Sequence, residues 1–161
     1  MRPWRERSAA ERALLNPALI AVILREGAYG YGQHGGIALP FALAFLLVPV
    51  VLHPESRSAL PRTVRTAVPA WLGSNPAIRS TVRERVPGLA PLVCDGTRLG
   101  LASGVLELDA GGLRPRQLRR SAEARQANEL QALLVAARFV GRWSARVESP
   151  ATVCALWGVR P

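Results

Sequence analysis

Two histidines, two cysteines and eleven acidic residues are the groups in this chain of 161 residues on which metal, nucleophilic or acid–base chemistry could draw. His34 lies in a glycine-rich run and His53 follows an apolar one, and neither stands at a metal-ligand spacing such as H-E-x-x-H. Cys94 and Cys154 form no Cys-x-x-Cys pair, so zinc and a disulfide scaffold are both unsupported. The expectation is two structural thiols in a reducing cytosol, with a single bridge between them left open. Most acids stand close to arginines, as Glu6, Glu11, Glu84 and Glu123 do, and no isolated carboxylate pair is set apart for general acid–base work. Ser103 in Gly100-Leu101-Ala102-Ser103-Gly104 misses the nucleophile-elbow pattern, because Leu101 stands where that turn requires glycine. Gly30, Gly32 and Gly35 match G-x-G-x-x-G, with Glu55 at about the distance of a ribose-binding acid. The segment before them has a helical pattern, however, and no alternation of strands and helices follows, so residues 27–36 read as a loop. No catalytic residue, metal, cofactor or small-molecule substrate is expected.

The cations say more. All 21 are arginine, and against 11 acids they give a net charge of +10. Such a charge favours anionic partners, though an arginine-only, alanine- and glycine-rich composition also follows from a GC-rich genome. Arginine grips phosphate or carboxylate with two parallel hydrogen bonds, which lysine does not. The densest local group is Arg114, Arg116, Arg119 and Arg120, the candidate anion or nucleic-acid site. Trp143 and Trp157, with Trp71 and Phe139, are expected either in the core or as anchors at a partner interface.

These residues need elements to hold them. Ser8 and Glu11 have capping-box spacing, and Asn16-Pro17 offers a helix start that Gly27 would end. Residues 37–52 are uncharged; as a helix these 16 residues reach about 24 Å. A bilayer core needs about 30 Å, and Pro49 interrupts the run, so a buried core helix is expected rather than a membrane span. Residues 60–72 have helical spacing kinked at Pro69. Two helices follow, one opened by Asn75-Pro76 and a second over 89–103 closed by Gly104. Val105 to Arg116 reads as a hairpin around Ala110-Gly111-Gly112, with Pro115 demoting its second strand to an edge. Residues 121–147 form a long helix capped by Ser121, in which Gly141 beside Trp143 implies close approach of another backbone. Residues 151–159 are apolar on both faces and read as a buried terminal strand. Residues 76–120, two helices and a hairpin, have the outline of a winged helix. The fold expected is a single domain over 1–161, mainly α with a small β element and winged-helix-like. No signal peptide is expected from the interrupted apolar stretch near the N-terminus.

Several segments, in order along most of the chain, resemble the middle component of bacterial three-component ABC ATPase systems. They are Arg2-Pro3-Trp4, Leu14-Leu15-Asn16-Pro17-Ala18-Leu19, Leu39 through Pro49 with Leu52-His53, Leu60-Pro61, Thr63 to Thr66, Phe139-Val140-Gly141-Arg142-Trp143, and Ala155 through Pro161. The resemblance implies a cytoplasmic, non-catalytic adaptor that partners an SMC-like ABC ATPase and a third, effector protein, in antiphage defence or nucleoprotein handling. It carries over no catalytic residue and argues against a membrane role for 37–52. The alternative from a different class is a stand-alone winged-helix DNA-binding protein.

Overall fold

A computed structural model describes residues 16–116 and 128–160. Among the described residues, seven helices and three short strands follow in the order α1 (Pro17–Gly32), β1 (Leu39–Pro40), α2 (Phe41–Leu52), α3 (Pro54–Ala59), α4 (Val68–Ser74), α5 (Pro76–Ala102), β2 (Leu106–Asp109), β3 (Gly112–Pro115), α6 (Asn128–Ser144) and α7 (Pro150–Trp157). The domain is therefore mainly α with a small antiparallel sheet. Expectations on residues 1–15 and 117–127, among them the Ser8 capping box and the Ser121 cap, lie outside the described residues.

α1 starts where Asn16-Pro17 indicates, with the Asn16 side chain accepting from the Ala18 amide at 2.9 Å. It does not end at Gly27. It continues to Gly32, so only the stretch after it is loop, turning through Gly35 and Gly36 at positive φ. The internal glycines cost helix propensity, roughly 1 kcal/mol each, but they let α1 and α6 meet backbone to backbone. A Cβ placed on Gly30 would lie 2.0 Å from the Arg138 carbonyl oxygen, and one on Gly141 2.0 Å from that of Gly27. The close approach inferred at Gly141 is thus present, and its partner is the glycine-rich stretch itself. One polar clamp flanks this seam: Glu26, 6% exposed, accepts from Arg25 and from Arg138, whose Nε lies at 3.0 Å. The Arg138 guanidinium also sits 4.8 Å over the Tyr29 ring, a cation–π contact.

The apolar run forms β1 and α2. α2 is buried on nearly every side, from Leu43 through Val51, as a core helix should be. No helix of the described residues is long and apolar enough to cross a membrane. The expected kinked helix over 60–72 is instead α3, an irregular stretch and α4, with Pro69 in the first turn of α4, where a proline is tolerated. The two helices expected from 76 to 103 are one. Pro87 and Pro91 each remove an internal hydrogen bond, yet both are exposed and stand four residues apart on the outer face. Water can satisfy the freed carbonyls there, while Val82, Val93, Gly96 and Gly100 keep the inner face packed along the whole length.

The sheet order is β1-β3-β2. β2 and β3 form the expected hairpin, closed by Ala110 and Gly111, both at positive φ as a two-residue turn demands. β3 is not an edge. It is the middle strand, because β1 pairs only with Gly112 and Leu113 and leaves Pro115 beyond its reach. The terminal strand expected at 151–159 is also corrected: α7 occupies Pro150–Trp157. Ser149 caps it by accepting from the Thr152 amide at 3.1 Å, Pro150 opens it, and Gly158 at φ 71° closes it. Local capping on both ends outweighs an apolar content that a strand would share.

Candidate functional site

The hairpin arginines are brought together but not left free. Arg114 pairs with Asp109 across the turn and donates to the Gly36 carbonyl at 2.9 Å. Arg116 Nε stands 3.5 Å from Glu107, and its carbonyl accepts from Arg25 Nε at 3.0 Å. Each hairpin arginine therefore faces an acid on β2, and the local charge of these four side chains cancels. Arg119 and Arg120 lie outside the described residues. By contrast, Arg62, Arg65, Arg79, Arg83, Arg85, Arg142 and Arg146 have no acid within 4.0 Å among the described residues. Arg79 and Arg83 flank Gly158 at the C-terminal end of α7, where cations suit the helix dipole.

Trp143 and Trp157 are interior residues, 1% and 3% exposed, so they are core and not surface anchors. Trp71 packs edge-on to Trp143 at 5.3 Å between ring centroids and tilts against Trp157 at 6.1 Å. Two of the indoles also do polar work. Trp71 Nε1 donates to the Ala59 carbonyl at 3.0 Å and Trp143 Nε1 to that of Thr66 at 2.7 Å. These bonds fasten both ends of the irregular stretch between α3 and α4. Sequence reasoning put the tryptophans together but had no way to assign them this role.

One arrangement not anticipated from the sequence looks catalytic in outline. His53 Nδ1 lies 2.8 Å from Ser56 Oγ, and its Nε2 lies 3.9 Å from Glu55. Ser56 is fully buried, and its amide also approaches His53 Nδ1, at 3.3 Å. Nδ1 is then an acceptor, the proton sits on Nε2, and the imidazole caps α3. Burial first, then the nearby Arg85 guanidinium, hold the His53 pKa below the ordinary histidine value. A serine sealed from solvent cannot reach a substrate carbonyl. His34 is exposed in the loop after α1. Ser103 Oγ bonds back to the Leu99 carbonyl at 2.7 Å, as a helix-end serine does. Cys94 and Cys154 are free thiols, and burial pushes the Cys154 pKa up. Among the described residues no three metal-ligating side chains gather.

The sequence also left unmarked a groove in which the Ala132, Val135, Ala136 and Phe139 side of α6 faces Leu60 and Pro61. The signal was a second apolar stripe on α6, at i, i+3, i+4 and i+7, beside the one that packs on α1.

The fold and this surface define a small helical domain, rich in arginine outside and built around a tryptophan cluster. Over residues 4–161 the chain matches the family model of the ABC-three component (ABC-3C) system Middle Component 3, and it belongs to that family. No curated protein and no solved structure shows detectable similarity to it.

Proposed function

We propose that this chain is a cytoplasmic, non-catalytic adaptor that bridges the ATPase and the third, effector component of an ABC-3C system, in defence against phage or in handling nucleoprotein. The observation that carries the reading is membership of the middle-component family over nearly the full chain. Co-expression with the ATPase and the third component of the same system, followed by affinity capture and native mass spectrometry with and without ATP, is the test. Recovery of a complex with both supports the adaptor. Failure to bind either in any nucleotide state sinks it.

A second reading adds DNA contact. The observation in its favour is topological: β1 falls between α1 and α2, the hairpin directly follows α5, and the sheet order is β1-β3-β2. That order is compatible with a winged helix, in which the C-terminal half of α5 would stand in the place of a recognition helix. Against base-specific reading, that half exposes Asp95 and Arg98, paired with each other at 2.9 Å, and few side chains suited to base edges. Contact of this kind is to phosphates. It is checked by gel retardation of duplex DNA at low salt, where affinity should fall steeply as salt is raised. No retardation by the chain alone or in its complex removes the reading.

A further inference from the structure

In the groove between α6 and the stretch after α3, apolar exposure and unneutralised charge coincide. Val135 is 57% exposed on its floor. Its other wall is irregular backbone at Leu60 and Pro61, yet that wall is fixed, because the Trp71 and Trp143 indoles bind the carbonyls of Ala59 and Thr66. A preformed wall lowers the ordering cost of binding. Among the described residues, two cations stand in the lining, Arg57 and Arg62, and no acid does. Arg57 is half-buried and held in one pose, its Nη1 donating to the Val51 and Leu52 carbonyls at 2.8 and 3.2 Å. A guanidinium has five donors, so the remaining ones are free to face a ligand. Arg62 is exposed and has no acidic partner among the described residues.

We propose that this groove is where a partner protein docks an acidic amphipathic helix. Its apolar side chains would lie on Val135 and Phe139, and its carboxylates on Arg57 and Arg62. Charge complementarity selects the occupant. An apolar floor gives nothing to a phosphate backbone, whereas an apolar floor with a cationic edge fits a helix with a hydrophobic stripe and an acidic flank. No strand of the sheet lines the groove, so an extended segment would find no strand edge to pair with. The inference rests on the adaptor reading, in that the helix belongs to another component of the ABC-3C system.

The test uses the full chain and its co-expressed ATPase and third components. Val135→Glu and Arg62→Glu are each made, with Arg98→Glu as a control on the C-terminal half of α5. Val135 and Arg62 are exposed, so circular dichroism and thermal unfolding should match the parent chain. The expected result is at least tenfold weaker capture of one component by Val135→Glu and by Arg62→Glu, with Arg98→Glu unchanged. A photo-crosslinking residue at position 135 should give an adduct whose peptide has acidic residues beside an apolar i, i+3, i+4 pattern. Three results overturn the proposal. If the parent chain captures neither component, the adaptor reading falls and the groove falls with it. If the parent captures both and the two groove variants do so equally well, only the groove proposal falls. If the variants instead turn a dimer into a monomer with capture unchanged, the groove is a contact between copies of this chain.

Discussion

Gly141→Ala is the sharpest test of how α1 and α6 are joined. Intrinsic propensity predicts that alanine stabilises a helix over glycine by about 1 kcal/mol. The structure predicts the opposite sign. The new methyl would lie 2.0 Å from the Gly27 carbonyl oxygen, well inside van der Waals contact at about 3.5 Å, and the obstacle is backbone that no rotamer change can move. Relief requires α6 to withdraw from α1 by more than about 1 Å, which also loosens Leu133, Ala137 and Val140, all buried on α6. Overpacking of this kind costs about 1–3 kcal/mol and more where backbone must shift. Set against the propensity gain, the net expectation is a loss of about 2 kcal/mol, which in a domain of this size lowers Tm by roughly 4–8 °C. Urea unfolding followed by tryptophan fluorescence measures it as a lower midpoint at unchanged m. Gly88→Ala is the matched control, because Gly88 lies within α5 and a methyl there meets nothing within 4 Å. It should stabilise by about 0.5–1 kcal/mol. Gly141→Ala equal to or more stable than the parent would refute the backbone-to-backbone reading of the seam.

Further expectations follow from the same structure. The folded-state pKa of His53 lies below its unfolded value of about 6.5, so the unfolded chain takes up the proton first. Stability is then full above about pH 6.5 and declines as pH falls toward the folded pKa; urea midpoints between about pH 5 and 8 should show this slope, and His53→Asn, which keeps a capping side chain, should flatten it. Glu26→Ala strands two arginines at the α1–α6 seam. It should cost about 2 kcal/mol, reduced from the fully buried case because Arg138 is 47% exposed, whereas Asp95→Ala at an exposed pair should cost under about 0.5 kcal/mol by chemical denaturation. Ser149→Ala removes the cap of α7 and should cost about 1 kcal/mol, seen as an earlier thermal transition.

What was legible in the sequence was local. Asn16-Pro17 and Asn75-Pro76 marked true helix starts, and Ala110-Gly111 marked the hairpin turn. Residues 150–158 show the limit. Serine, proline and glycine stood at the ends of a helix eight residues long, but apolar residues on all sides hid its period. The helix break expected near Pro87 failed for a related reason. A proline inside a helix removes one bond of the ladder, but whether the helix ends depends on whether the freed carbonyl meets water or protein. The groove was missed because its far wall comes from residues some seventy positions away.

The composition and its patterning by themselves determined that the chain forms a helical core around 37–52, that its histidines and cysteines stand at neither H-E-x-x-H nor Cys-x-x-Cys spacing, and that its positive charge is carried wholly by arginine. Burial of apolar runs and end-capping depend on near neighbours, so they can be read along the chain. Which arginines keep their charge, and which tryptophans reach the surface, was decided only by tertiary structure. Strand register sets Glu107 opposite Arg114 and brings Asp109 and Arg116 within reach of their partners, so Arg114 and Arg116, the two described members of the candidate anion site, are paired with acids. Packing around α2 draws Trp143 and Trp157 inward. Ion pairs and aromatic burial are properties of distances between segments far apart in sequence, and only the folded chain sets those distances.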